Sequence, residues 1–201
     1  MRAFLGVTGA SGAPYAAGIL RALVASGADV GLCASSAGVE VLATELYGDV
    51  SLTRDEVLAR FVGDAGGGVR VYDIDDWQSP YASGSAKVDA YVVCPCSMST
   101  VGTLASGAMS NLIHRAASVA LKERRKLVLV PRETPLSSIH LRGLATLHEA
   151  GAVILFAAPG FYHRPETIAD LVDFVVSRCL DQLGVANELV ERWGDVAERV
   201  R

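Results

Sequence analysis

The sequence predicts one α/β domain of the doubly wound type, Rossmann-like or flavodoxin-like, with a parallel sheet of about six strands and helices on both faces. Short apolar runs alternate with amphipathic stretches along the chain, which is typical of repeated strand–helix–strand units. The runs have almost no polar face, as expected of strands that are buried on both sides. No linker rich in proline, glycine and serine divides the 201 residues, a length that suits one domain.

Six short, β-rich runs are the predicted strands. In chain order they occupy residues 3–8, 29–34, 69–73, 90–94, 126–130 and 152–156. The glycine run at 66–68 comes just before the third of them, and we interpret it as a surface turn.

Seven amphipathic stretches between and after these runs are the predicted helices. They occupy residues 14–26, 38–47, 55–62, 98–107, 111–124, 138–150 and 167–183. Pro14 suits the first turn of the first helix, because proline lacks the N–H that this position leaves unpaired. Strand and helix in succession predict right-handed crossovers between parallel strands.

A last segment follows Gly184, with no strand after it. Over residues 186–200, Leu189, Val190, Trp193 and Val196 recur at helical spacing. We therefore divide the chain into a ligand-binding domain at 1–185 and a C-terminal helical segment at 186–201, which is expected to pack on a neighbouring subunit or over the site.

The composition argues against several classes of protein. Lysine and arginine number 18 against 22 acidic residues, so the net charge of −4 gives no electrostatic footprint for nucleic acid. Glycines and Arg21 interrupt the apolar N-terminus too early for a signal peptide, and no apolar run is long enough for a membrane span, so a cytoplasmic protein is expected. The four cysteines lack zinc-ligand spacing, which predicts buried, reduced thiols and no metal.

The ligand is expected at the carboxyl edge of the sheet, where the strands of open α/β folds present their turns. Residues 8–14 form a glycine-rich turn after the first strand, whose backbone N–H groups would suit an anion. Turns rich in serine, threonine or proline follow the second, fourth and fifth strands, and Arg132 lies in the last of these. These turns converge on one edge.

The spacing of Gly6, Gly9 and Gly12 also raises the possibility of a dinucleotide site. Such a site needs an acidic residue at the end of the second strand to bind a ribose, and Ser35 and Ser36 stand there instead. No tyrosine is followed four residues later by lysine, as short-chain dehydrogenases require. A mononucleotide suits the neutral hydroxyls better.

Several segments together resemble the UbiX flavin prenyltransferase family, over residues 3 to about 184. They are Gly6–Gly12, Ala43–Glu45, Asp76–Trp77, Ala82–Ser85, Cys94–Ser97, Asn111–Ile113, Leu121–Arg125, Val130–Glu133 and Gly160–Pro165. The segment Pro131–Glu133, followed by Ser137–Leu141, and the segment Gly160–Pro165 are the most specific of them.

The resemblance implies a homododecameric, metal-independent enzyme whose domain at 1–185 binds FMN. Such an enzyme joins a dimethylallyl group from dimethylallyl phosphate to N5 and C6 of reduced FMN. The product, prenylated FMN, serves a partner decarboxylase of the UbiD type, as in ubiquinone biosynthesis. Whether the donor is a mono- or diphosphate, and which decarboxylase receives the product, stay open.

The resemblance also implies roles for individual residues. The flavin would be bound by Gly9, Ala10, Ser11, Ser35, Ser97, Met98, Ser99, Thr100 and Arg132. The phosphate of the substrate would be bound by Arg115, Lys122, Tyr162 and Arg178. The catalytic residues would be Ser11, Glu45, Trp77, Lys122 and Glu133, with Glu133 transferring protons and Trp77 facing the prenyl group.

Each of these residues also has an ordinary structural interpretation. Ser11 could be a helix N-cap, Glu45 a helix-end carboxylate, and Glu133 a member of a surface ion pair. Trp77 could belong to a core or interface, and the basic residues of 115–122 could form a solvated face. For His140 and His163 we expect a structural hydrogen-bonding role.

Two departures and two alternatives accompany the resemblance. One departure is the variable spot at Met98 and Ser99, which bears on how the flavin ring is seated. Ser110 stands where the family usually has aspartate before Asn111, although either residue can cap the helix that follows. The first alternative is an FMN-dependent decarboxylase of the cysteine type, which uses a histidine between the third and fourth strands. All four histidines here come later. The second is a non-catalytic flavin carrier, which would not need Lys122, Tyr162 and Arg178 together.

Overall fold

A computed structural model, in which residues 1–192 are described, has a six-stranded, all-parallel sheet with strand order β3-β2-β1-β4-β5-β6. The strands are β1 (Arg2–Val7), β2 (Asp29–Ala34), β3 (Val69–Val71), β4 (Ala90–Cys96), β5 (Lys126–Pro131) and β6 (Val153–Ile154). The helices are α1 (Ala13–Ala25), α2 (Ser36–Leu42), α3 (Arg54–Asp64), α4 (Met98–Ala105), α5 (Leu112–Lys122), α6 (Ser138–Glu149) and α7 (Ile168–Leu183). The predicted doubly wound α/β class is confirmed.

Helices cover both faces of the sheet, because successive side chains of each strand point to opposite sides. On β1, Leu5 and Val7 pack with the apolar residues of α1, α2, α3 and α7. Phe4, directly before Leu5, packs on the other face, with residues of α4, α5 and α6. Both faces are therefore apolar, which explains why the strands lack a polar side in the sequence.

Most elements begin and end within one or two residues of the predicted bounds. Three elements differ in type or length, and one short turn was not predicted. The helix predicted at 38–47 is α2 followed by a π-helical turn at Ala43–Tyr47. The strands β3 and β6 are shorter than predicted, since both lie at an edge of the sheet and pair with one neighbour only. A 3₁₀ turn at Pro80–Ala82, before β4, was not predicted.

The predicted C-terminal helix is wrong for residues 186–192, which have no helical structure. A side-chain anchor holds this stretch instead. Asp181, near the end of α7, accepts two hydrogen bonds from Arg192, at 2.7 and 2.8 Å, and one from Asn187 at 3.2 Å. Specific polar contacts thus decide the path of the chain here, and helical spacing alone could not reveal them. Residues 193–201 lie outside the described part, so the expected packing over the site or a neighbouring subunit stays a prediction.

This anchor is expected to weaken in acid. The hydrogen bond from Arg192 is the main cause that lowers the pKa of Asp181 below its usual value. A carboxyl group with a lowered folded-state pKa stabilises the fold above its unfolded pKa of about 3.9, and loses that contribution as the pH falls through the folded value. The difference in unfolding free energy between the wild type and Asp181→Asn should therefore be constant at neutral pH and shrink below about pH 4.

Urea unfolding at a series of pH values measures this difference. Glu188→Gln, an exposed carboxylate in the same stretch, is the control and should leave the pH dependence unchanged. A difference for Asp181→Asn that persists undiminished in strong acid would show that the ionised carboxylate contributes nothing.

Candidate functional site

The glycine-rich turn after β1 lies against the start of α2. A Cβ atom placed on Gly9 would be only 2.5 Å from the Cβ of Ala37, so no larger residue fits there without moving the helix. Ser35 caps α2, because its hydroxyl accepts a hydrogen bond from the amide of Gly38 at 3.0 Å. The close approach brings the amides of the turn and the hydroxyl of Ser35 to the same part of the edge.

The turn after β4 supplies a second group of hydroxyls. Ser97 caps α4 by accepting a hydrogen bond from the amide of Thr100 at 3.3 Å, and the two side-chain oxygens are 3.1 Å apart. Met98 and Thr100 are buried while Ser99 is exposed, so buried and exposed side chains alternate along the first turn of α4. This is the stretch for which flavin contacts were predicted.

Arg132 links the loop after β5 to the glycine-rich turn. Its Nε donates to the carbonyl oxygen of Ser11 at 3.4 Å. Glu133 comes directly after it, half-buried, and its carboxylate accepts from the amide of Thr134 at 3.2 Å. The structure therefore brings the predicted flavin residues from the ends of β1, β2, β4 and β5 to one edge of the sheet, as expected of a doubly wound fold.

Glu45 has a structural contact that the sequence did not predict. Its Oε2 accepts hydrogen bonds from the amides of Gly12 and Ala13, at 2.9 and 2.8 Å. The carboxylate thus occupies part of the start of α1, where free N–H groups had been expected to bind an anion. Ser11 does not cap α1. The cap residue is Gly12, which has no side chain to accept a hydrogen bond from the first turn. The flavin role of Ser11 stays a prediction.

The four predicted phosphate ligands do not come together within one chain. Arg115 lies on α5 and donates to the carbonyl oxygen of Ala82 at 2.8 Å, while Lys122, at the end of the same helix, pairs with Glu123. Arg178 lies on α7, on the opposite face of the sheet, and pairs with Asp181 at 2.9 Å. Because the sheet separates α5 from α7, these cations cannot contact one anion in a single protomer.

Tyr162 belongs to the half of this set that lies near α7. Its ring packs edge to face on Phe174, with centroids 5.7 Å apart. Phe174 and Arg178 also line a cavity of about 310 Å³ between α7 and the strand β6. Tyr162 and Arg178 thus share a neighbour.

Three further residues with predicted roles belong to other segments than the four turns. Trp77 is 49% exposed in the loop between β3 and β4. His140 forms a capping box with Ser137 at the start of α6, which fits the structural role predicted for it. That prediction is wrong for His163, whose ring stacks on Phe174 and whose nitrogens have no hydrogen-bond partner in the described chain.

The four cysteines are all buried as free thiols. Burial raises the pKa of Cys33, Cys96 and Cys179 to about 12 in each case, and raises that of Cys94 as well. Within residues 1–192, no group of three or more His, Cys, Asp or Glu side chains is placed to hold a metal ion. No described helix has both the length and the apolar character to cross a membrane.

Comparison with known proteins identifies the family. A family model described as Flavoprotein matches residues 1–180. The chain is 50% identical over 199 residues to flavin prenyltransferase UbiX of Pseudomonas aeruginosa, which covers 96% of this chain and 94% of that protein. The chain belongs to the UbiX flavin prenyltransferase family. It is also 42% identical over 196 residues to flavin prenyltransferase UbiX of Methanocaldococcus jannaschii, covering 98% and 100% of the two chains.

Solved structures of UbiX proteins share the whole fold. AnUbiX in complex with FMN and dimethylallyl pyrophosphate superposes with a TM-score of 0.84 at 39% identity, covering 96% of this chain and 97% of that chain. A dodecameric FMN-dependent UbiX-like decarboxylase from Escherichia coli O157:H7 gives a TM-score of 0.83 at 36% identity, covering 96% and 99%. The cysteine decarboxylase TvaF, 18% identical over 92% of this chain and 98% of that chain at a TM-score of 0.58, shares the fold alone.

Ser110, the departure from the usual UbiX pattern, has a defined contact. Asn111 caps α5 by accepting from the amide of His114 at 2.9 Å, so the helix keeps its cap without an aspartate. The hydroxyl of Ser110 lies 3.0 Å from Nδ1 of His114. Burial lowers the pKa of His114, so the ring favours its neutral form. A neutral serine suits this form, because an uncharged ring needs no carboxylate beside it.

Replacing Glu45 in this UbiX-family chain tests its structural contact. In Glu45→Ala the amides of Gly12 and Ala13 lose their acceptor, and we expect the unfolding free energy to fall by about 1–2 kcal/mol. Glu40→Ala, an exposed glutamate on α2, is the matched control and should change stability by under about 0.5 kcal/mol. Equal effects of the two substitutions in urea unfolding would show that the contact with α1 contributes nothing.

Proposed function

We propose that this protein is a flavin prenyltransferase that joins a dimethylallyl group from dimethylallyl phosphate to N5 and C6 of reduced FMN. The observation that carries the proposal is the convergence of four turns on one sheet edge, in a chain similar over nearly its full length to UbiX proteins. Reduced FMN is then a substrate, and it supplies the two atoms that accept the five-carbon unit.

The residues at this edge fit a flavin mononucleotide. Gly9, where a Cβ has no room, lets the turn and α2 approach closely. Ser35, Ser97 and Thr100 offer hydroxyls to a phosphate or a ring edge, and Arg132 adds a positive charge beside the turn. No acidic side chain stands at the end of β2 to bind the ribose of a dinucleotide.

The chain's own residues would position the reactants and move protons. Glu133 would hold and transfer the protons that alkylation of the flavin displaces, since it lies beside Arg132 at the edge. Trp77 would place an aromatic face near the positive charge that develops on the allylic carbon as phosphate leaves. Arginine and lysine side chains would stabilise the departing phosphate, so no metal ion is needed for that task.

We propose further that the phosphate site is completed between subunits of a homo-oligomer. Arg115 and Lys122 lie on one face of the sheet and Arg178 lies on the other, so one anion can meet all of them only where two copies of the chain come together. The dodecameric state of the Escherichia coli relative supports this arrangement. Size-exclusion chromatography with light scattering measures the state; a monomer that is fully active would contradict it.

We propose that a second enzyme uses the product as its cofactor. Prenylated FMN would be released to a UbiD-type decarboxylase, and both proteins would work in the cytoplasm. The chemistry of the product supports this order, because a modified flavin made by one protein acts only after another protein binds it.

The decisive experiment is an anaerobic incubation of the purified protein with reduced FMN and dimethylallyl phosphate, followed by mass spectrometry of the flavin. We expect a gain of one C5H8 unit. Parallel reactions with the monophosphate and the diphosphate identify the preferred donor. Unmodified flavin with both donors would overturn the proposal, and binding of FMN without transfer would favour a carrier.

A further inference from the structure

We propose that Thr8 is a positioning residue for the flavin, which sets the spacing between the turn after β1 and the turn after β4. No flavin role was predicted for it. This inference rests on the proposed function only in taking FMN as the ligand of this edge. Thr8 follows the last residue of β1 and is 3% exposed, so its side chain is inside the protein and does not contact solvent.

The Thr8 hydroxyl makes two hydrogen bonds to the same turn. It donates to the carbonyl oxygen of Pro95 at 2.9 Å and accepts from the amide of Ser97 at 2.8 Å. The amide of Thr8 also donates to the carbonyl of Pro95, at 3.1 Å. Three hydrogen bonds therefore join one buried residue to a three-residue stretch of the other turn.

The regular backbone pairing between β1 and β4 ends before it reaches these two turns. Strands β1 and β4 pair from Ala3 with Ala90 to Gly6 with Val93, and beyond that point Pro95 has no N–H to offer a neighbour. On its other side, the pairing of β4 with β5 shifts register between Val93 and Cys96. Beyond the ladder a single backbone bond, from the amide of Thr8 to the carbonyl of Pro95, joins the two turns, and the side chain of Thr8 adds two more.

The link acts on residues with predicted flavin contacts on both sides. Gly9 follows Thr8 directly, and Ser97, which Thr8 holds by its amide, caps α4 and pairs with Thr100. A hydroxyl that both donates and accepts can hold this geometry, whereas an apolar side chain of the same shape cannot. Loss of the hydroxyl would leave the Ser97 amide and the Pro95 carbonyl with one partner fewer, and the two turns would separate or shift.

The test compares FMN affinity with stability in matched variants. Thr8→Val keeps the shape and removes the hydroxyl, while Thr8→Ser keeps the hydroxyl. We expect Thr8→Val to raise the dissociation constant for FMN at least about 10-fold, the size of one hydrogen bond, and Thr8→Ser to stay within about threefold. Flavin fluorescence titration gives the affinity and urea unfolding gives the stability. Ser177→Ala, which removes a buried hydroxyl from α7, is the control for a purely structural loss and should leave the affinity unchanged.

A second pair of variants reaches the same link from the other turn and remains informative if Thr8→Val does not fold. Ser97→Ala and Ser97→Pro both lack the hydroxyl of Ser97, but only proline lacks the amide hydrogen that Thr8 accepts. The backbone φ of −73° at Ser97 is compatible with proline. We expect Ser97→Pro to bind FMN about 10-fold more weakly than Ser97→Ala.

The outcomes separate this inference from the proposed function. Wild-type affinity in Thr8→Val, or an equal loss in Thr8→Ser, would overturn the positioning role while prenyl transfer by the wild type stands. Conversely, if FMN binding depends on Thr8 as expected but the wild type transfers no prenyl group, only the proposed activity is overturned. Failure of the wild type to bind FMN would overturn both.

Discussion

Replacing Glu133 with glutamine is expected to slow prenyl transfer by about 10²- to 10⁴-fold, the usual contribution of a group that moves protons, while FMN remains bound. Glutamine keeps the size of the side chain and an oxygen that can accept from the amide of Thr134, as Glu133 does at 3.2 Å. It cannot take up or release a proton. Anaerobic mass spectrometry of the flavin over time measures the rate, and fluorescence titration measures FMN binding.

The control for this substitution is Glu149→Gln, an exposed glutamate at the end of α6 that should leave both quantities unchanged. Loss of FMN binding in Glu133→Gln would instead mean that the carboxylate shapes the loop next to Arg132. An unchanged rate would remove Glu133 from the chemistry and direct attention to Glu45, the other acidic residue at this edge.

Gly31→Ala is expected to have the largest effect on stability. A Cβ on Gly31, in the middle of β2, would lie 2.2 Å from a ring carbon of Tyr81. Tyr81 is 2% exposed and packs against Phe4, Tyr72 and Tyr91, so its ring has no room to move. We expect a loss of about 3 kcal/mol or more in unfolding free energy, at the upper end of what overpacking costs.

Gly63→Ala is the matched control for Gly31→Ala. A Cβ on Gly63, in α3, meets no atom within 4 Å. Because alanine favours the helix over glycine, this change should stabilise the protein by about 0.5–1 kcal/mol.

Tyr81 precedes Ala82, whose carbonyl binds Arg115, so Gly31→Ala should also disturb that arginine. A destabilisation of under about 1 kcal/mol for Gly31→Ala would show that the ring adapts after all.

The arrangement of the sheet could be predicted from the sequence because it depends on local patterns. Apolar runs without a polar face identify strands that are covered on both sides, and the turns after them must meet at one edge. The residues predicted to bind the flavin, from Gly9 to Arg132, followed from that rule together with the family motifs. Their convergence needed no knowledge of individual contacts.

The rest could not be predicted because it depends on pairs of residues far apart in the chain. The contact of Glu45 with Gly12 spans 33 residues and that of Thr8 with Ser97 spans 89, and no spacing rule connects them. The division of Arg115 and Arg178 between opposite faces follows from the side on which each helix packs. Residues 186–192, which are not helical, are joined to Asp181 by three hydrogen bonds that amphipathic spacing cannot reveal.

The buried cysteines have a consequence for chemical selectivity. An allylic phosphate is an alkylating agent, and the thiolate is the form of cysteine that such agents attack. Burial raises the pKa of Cys96 to about 12, so its thiol is protonated at neutral pH. Cys94 and Cys96 lie on β4, immediately before the turn that would bind the flavin, yet both are fully enclosed. In the proposed reaction, this enclosure would protect both thiols from the allylic electrophile and leave the prenyl group to the flavin.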